Sequence, residues 1–131
     1  HKFLRAGIHA YAYSDNHMQA IAAGHLTERD VAIGISHSGS SKDIVDALKI
    51  ARSQGAATIC ITNNGKSPIL NQSDIALFTS SPETKYTILG LNSRIAALAI
   101  IDALYSYIVC NSDAAENAIE NTELALKSKK Y

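Results

Sequence analysis

Short apolar runs of strand length alternate along this chain with stretches whose apolar residues recur at helical spacing. "HKFLRAG" opens it as the last turn of a helix running into Gly7, as if a longer helix began upstream. "GIHAYAY" (Gly7 to Tyr13) reads as a strand, Ser14-Asp15-Asn16 as cap and turn, and about His17 to Gly24 as a helix. "DVAIGIS" (Asp30 to Ser36) is the next strand. Ile44, Val45, Leu48 and Ala51 then share one face of a helix that Gly55 stops. "ATICIT" (Ala57 to Thr62) and "DIALFT" (Asp74 to Thr79) are two further strands, joined through a turn rich in Gly, Ser and Pro. Near Asn92 a long helix begins, apolar on most sides and therefore predicted to be buried. After Asn111-Ser112-Asp113 comes a polar helix with only a thin stripe of Ala118, Ile119, Thr122 and Leu126.

Continuous apolar strands separated by helices predict a parallel sheet covered on both faces, a three-layer α/β sandwich. Its 131 residues are enough for one domain with a real core, with no internal boundary or repeat, so residues 1–131 are read as a single domain.

Charge narrows the function. Twelve basic residues balance twelve acidic ones, which argues against this chain gripping nucleic acid by itself. Eight Phe and Tyr and no Trp leave few platforms for stacking single strands. Cys60 and Cys110 fall in elements read as buried, which predicts reduced packing thiols and a cytoplasmic home. The apolar run Ile95 to Cys110 is short for a membrane span and carries Asp102, so it reads as a core helix. The five histidines form no ligand cluster, and no metal or cofactor is expected.

The chemistry concentrates in "ISHSGSSKD". Four serines and a histidine fall within Ser36 to Ser41, where strand gives way to helix. Ligands of parallel α/β sheets bind at that edge, beyond the carboxyl ends of the strands. Two readings are open. Ser40-Ser41-Lys42-Asp43 fits a capping box, with a hydroxyl reaching forward and Asp43 reaching back. That explains neither Ser36 nor Ser38, which flank His37 and precede Gly39; these hydroxyls suit an anion, phosphate above all, at a helix N-terminus. "NNGKS" fails as a P-loop, and "GISHS" fails as a nucleophile elbow because Ser38 stands where the final glycine is needed.

The stretch "GISHSGSSKDIVDALKIARSQGAATICITNN" resembles the phosphosugar-binding motif of the sugar isomerase (SIS) domain. The likeness continues through "SPILNQSDIALFT" and "SRIAALAIIDALYSYI", from about Gly7 to Asn111. The long helix and the tail "AIENTELALKSKK" look most like the effector domain of RpiR-type transcription regulators. The resemblance implies that Ser36, Ser38 and Ser41 hold a sugar phosphate, with backbone help from His37 and Gly39. It places His17 near the sugar. Ser40 departs from the acidic residue of some relatives. The resemblance further implies a flavodoxin-like sheet whose first strand is lacking here. That strand would lie between the first two read above, leaving a gap about 5 Å wider than normal spacing.

Three further residues bear on the site. Glu83 lies in the loop after the fourth strand, on the same edge, as a solvated carboxylate or a contact to sugar hydroxyls. Arg94, at the start of the long helix, pairs with ligand phosphate or with an acid. His17 is a candidate for the sugar or simply an exposed histidine. The resulting expectation is the sugar-phosphate-binding domain of a dimeric regulator, reaching DNA only through an upstream domain and touching no membrane. The alternative is a phosphosugar aldose–ketose isomerase on the same fold, with Glu83 and His17 or His37 as acid and base.

Overall fold

The computed structural model describes residues 1–81 and 91–129. In chain order the elements are α1 (Lys2–Arg5), α2 (Asn16–Gly24), β1 (Val31–Ile35), α3 (Lys42–Ser53), β2 (Ala57–Asn63), a 3-10 turn (Pro68–Gln72), β3 (Ile75–Thr79), α4 (Leu91–Cys110), α5 (Asp113–Leu126) and a last 3-10 turn (Lys127–Lys129). They divide into two compact units, residues 13–98 and residues 1–12 with 99–131.

Residues 13–98 hold the sheet. Its strands are parallel in the order β1-β2-β3, with Val31 opposite Ala57 and Ile59 opposite Ile75. Such pairing needs a crossover after each strand, and α3 supplies the first. Gly34 explains how closely α3 approaches. A Cβ there would stand 2.7 Å from Leu48 Cδ1 and 3.0 Å from Ile44 Cγ2, so only glycine lets the helix settle on this strand. Leu48, Cys60 and Ile69 form the buried core beneath α3, flanked by Ile44, Val45, Leu70 and Ala76. Ala23, Ala51 and Ala56 form a second cluster, their small side chains letting α2 pack onto α3. On the other face of the sheet Val31, Ile33, Ile35 and Ile75 remain at least one-third exposed.

Three expectations are corrected. Gly7 to Tyr13 is not a strand: it has no ladder partner among the described residues, and Tyr11 is largely exposed. A strand exists through its neighbour's hydrogen bonds, and this segment has none among the described residues. The long helix α4 forms where predicted but is not buried. Ile95, Leu98 and Tyr107 are each more than 60% exposed, because the described residues cover little of a helix that is apolar all round. Cys110, near its end, is exposed, whereas Cys60 is buried as expected.

In the second unit, α1 is held by side chains. Lys2 pairs with Asp102, Arg5 pairs with Glu123, and the Phe3 ring meets Tyr105 edge-on with centroids 6.4 Å apart. Helix α5 begins with the Ser112 hydroxyl accepting from the Ala115 N–H at 3.3 Å.

Asp74 ties β3 to β2. One carboxylate oxygen accepts from the Thr58 N–H at 2.8 Å and from the Thr58 hydroxyl at 2.9 Å, and Arg52 stands 3.4 Å from the other. The Thr58 N–H above all, then its hydroxyl and the Arg52 charge, hold this carboxyl below its ordinary value. A depressed carboxyl contributes stability that is complete above the unfolded value of about 4 and is lost as pH falls through the lower folded value. Asp74→Asn is therefore expected to be less stable than wild type at pH 7, with the difference shrinking towards pH 3. Urea midpoints at the two pH values check this. Equal wild-type and variant acid slopes would remove the carboxylate from the account.

Candidate functional site

At the carboxyl edge of the sheet the segments that follow β1 and β2 meet in one structure. The residues after β1 form a tight turn in which the Gly39 N–H donates to the Ser36 carbonyl at 3.1 Å. Gly39 takes φ +63, a conformation that a side chain would strain. The loop is anchored from behind. The Asn63 N–H donates to the His37 carbonyl at 3.0 Å, the Thr62 hydroxyl reaches the same carbonyl at 3.3 Å, and the Ile69 N–H donates to the Gly39 carbonyl at 3.0 Å. The turn is thus held by the end of β2 and by the 3-10 turn that follows.

The loop serines pair with one another. Ser36, buried, shares a 3.0 Å hydrogen bond between its hydroxyl and that of Ser41. The Ser40 N–H donates to the Ser38 hydroxyl at 3.2 Å, and the Ser40 hydroxyl donates to the Ser38 carbonyl at 3.3 Å. Ser41 is the N-cap residue of α3, yet its side chain caps nothing. The capping box anticipated for Ser40 to Asp43 does not form: the Ser41 hydroxyl is turned to Ser36 instead, and Asp43 does not reach back. The N–H groups of Lys42, Asp43 and Ile44 have no acceptor among the described residues. This contrasts with α2 and α5, capped by Asp15 and Ser112. An uncapped first turn presents several N–H donors and the positive end of the helix dipole to the outside.

Of the anticipated site residues, Ser36, His37, Ser38, Gly39 and Ser41 are brought together in this one loop. His17 is exposed in the first turn of α2, its own N–H on the Asn16 side chain, and makes no hydrogen bond to the loop. Arg94 is exposed on α4. Glu83 lies outside the described residues. Two residues were not singled out from sequence. Thr62 braces the loop through His37, and Ser67 stands against Gly39. The Ser67 hydroxyl is buried and has no hydrogen-bond partner among the described residues. Its one signal in the sequence is a small polar residue next to Pro68 in the turn after β2. Among the described residues no group of His, Cys, Asp or Glu is arranged to hold a metal.

A strand, a serine turn braced from the next strand, and an open helix N-terminus make up a recognisable unit. The sequence model of the SIS domain matches residues 2–107. The chain belongs to the SIS domain family. An HTH-type transcriptional regulator of Caldanaerobacter subterraneus subsp. tengcongensis is 40% identical over 98% of this chain and 46% of its own length. The HTH-type transcriptional regulator RpiR of Escherichia coli K12 is 37% identical over 80% of the chain and 36% of its own. The chain therefore spans less than half the length of these curated relatives. Among solved structures, Vibrio vulnificus NanR complexed with ManNAc-6P aligns with a TM-score of 0.89 at 23% identity, over 98% of this chain and 49% of that one. The sugar isomerase domain of the Sphaerobacter thermophilus RpiR transcription factor aligns at 0.74 and 21% identity, over 94% and 68%.

The α/β fold expected from the apolar pattern is thus the fold of this SIS domain, and the parallel sheet is its centre. By length and composition alone, Asn92–Cys110 is apolar enough to cross a membrane. The SIS match runs through this helix almost to its end, which makes it an element of the domain rather than a membrane anchor.

Proposed function

We propose that this SIS domain is the sugar-phosphate-sensing part of a transcription regulator. One observation carries the reading: the first turn of α3 is left uncapped, directly beneath a loop of serines that could have capped it. Anions bind at such ends because unpaired N–H groups and the dipole act together. Ser36, Ser38 and Ser41 add hydroxyls, and the backbone at His37 and Gly39 lets the phosphate approach closely. His17, Glu83 and Arg94 are assigned to the remainder of the ligand. The similarity to HTH-type regulators supports a sensor over an isomerase, and the ManNAc-6P bound by the NanR neighbour supports a sugar phosphate as its class of ligand.

The neutral charge of the chain suits a sensor whose DNA contacts lie in a helix-turn-helix part outside it, within the cytoplasm. The exposed apolar residues of the unit that holds α5, among them Tyr107 and Leu124, are assigned to a homodimer interface. Ligand binding would act by changing the geometry of that dimer.

Ser38→Ala is the direct test. It is expected to remove a charge-assisted hydrogen bond of about 1.5–3 kcal/mol and to weaken sugar-phosphate binding about tenfold or more. Calorimetry of the full-length protein against ManNAc-6P, glucosamine 6-phosphate and ribose 5-phosphate measures it, with NMR following the sugar. Unchanged affinity removes the phosphate role. Conversion of the bound sugar would mark an isomerase instead.

A further inference from the structure

The Ser67 hydroxyl is buried, yet no hydrogen-bond partner meets it among the described residues. Such a group is costly to bury, and in a native protein it asks for an explanation. Its surroundings narrow that explanation. An ideal Cβ placed on Gly39 would run into the Ser67 hydroxyl oxygen, 2.6 Å from Ser67 Cβ and 2.9 Å from the Thr62 hydroxyl. Ser67 thus stands immediately against the one loop residue at positive φ, on the element whose Ile69 N–H already holds the Gly39 carbonyl. The Thr62 hydroxyl beside it is satisfied by the His37 carbonyl, and the hydroxyls of Ser36, Ser40 and Ser41 are all paired. Among these hydroxyls that of Ser67 is the one that is buried with no hydrogen-bond partner among the described residues.

We infer that Ser67 is a positioning residue for ligand binding, its hydroxyl gaining a hydrogen-bond partner in the serine loop only when a phosphate group draws that loop onto the α3 N-terminus. The inference rests on the sugar-phosphate reading above and deepens it. The Ser36–Ser41 bond uses one of their two hydroxyl protons, so one remains to meet the anion, and a phosphate that recruits both would turn this pair and the loop with it. Gly39 is the hinge able to turn its peptides without a side-chain penalty. Ser67, in contact with that hinge, then finds the partner it lacks. Part of the cost of burying it is repaid only in the bound state, which makes the residue a contributor to affinity rather than to stability.

The two roles separate in one experiment. Ser67→Ala and Ser67→Gly are compared with wild-type full-length protein by thermal unfolding without ligand and by calorimetry with inorganic phosphate and ManNAc-6P. The expected result is an alanine variant at least as heat-stable as wild type that binds both probes about tenfold more weakly. The glycine variant, which carries no Cβ at this contact, is expected to show the same loss of affinity. Affinity within twofold of wild type in both variants overturns the inference and leaves the sugar-phosphate reading standing. Lower ligand-free stability with unchanged affinity assigns Ser67 to packing and also overturns it. If wild type binds neither probe nor any other sugar phosphate, the functional reading falls and this inference falls with it.

Discussion

Ser41→Asp is expected to stabilise the ligand-free protein and to lower its affinity for a phosphate group a hundredfold or more. The opposite signs follow from one place in the fold. Position 41 is the N-cap of a helix whose first N–H groups are unpaired, and its serine is turned away towards Ser36. An aspartate at an N-cap accepts from those N–H groups and complements the dipole, a gain of about 0.5–1 kcal/mol. In a domain of this size that raises the melting temperature by about 2–4 °C. The same charge occupies the end that an anion needs. Two like charges about 4 Å apart repel by about 4 kcal/mol at the effective dielectric near a protein surface. Ser41→Asn is the control, since it caps without charge and should lose far less affinity. If Ser41→Asp binds sugar phosphate as wild type does, the α3 N-terminus is not the anion site.

Gly39→Ala is expected to cost about 2–4 kcal/mol of stability and to abolish measurable ligand binding. Alanine at φ +63 is strained by about 1–2 kcal/mol, and its methyl would collide with Ser67 and Thr62, an overpacking penalty of about 1–3 kcal/mol. The melting temperature should fall by about 5–15 °C. A double-mutant cycle with Ser67→Gly divides the two causes. Removing the Ser67 side chain relieves its share of the collision but not the backbone strain, so the costs should be non-additive by about 1 kcal/mol or more. Additive costs would mean that the loop moves aside, and that Ser67 and Gly39 do not press on each other as the geometry indicates.

The position of the serine loop was legible because two local signals coincide there. The apolar run ending at Ile35 marks the strand, and Ile44, Val45, Leu48 and Ala51 mark the helix, so the turn at the carboxyl edge had to fall among the eight residues between Ile35 and Ile44. What those serines do could not be read in the same way. A capping box and an open anion site share the residues Ser40 to Asp43, and they differ only in which way one hydroxyl points. Ser36, five residues earlier in the chain, decides that by offering Ser41 a partner. Thr62 and Ser67 escaped notice for a related reason. They lie 25 and 28 positions beyond His37 and Gly39, the residues they support, and no local period links them.

By itself, then, the sequence determined the kinds and order of the elements from β1 through α5, the parallel α/β class, the buried place of Cys60 and the location of the serine loop. These rest on periodicity and turn chemistry, which act between near neighbours. Only the tertiary structure decided that Gly7 to Tyr13 is not a strand, that α4 lies largely exposed, that α3 is left uncapped and that Ser67 stands against Gly39. Each of these depends on what a segment finds beside it in space. Apolar character states what a residue would bury, but a strand without a neighbour and a helix without a cover show that burial belongs to the pair, and the pairing is not written in either segment alone.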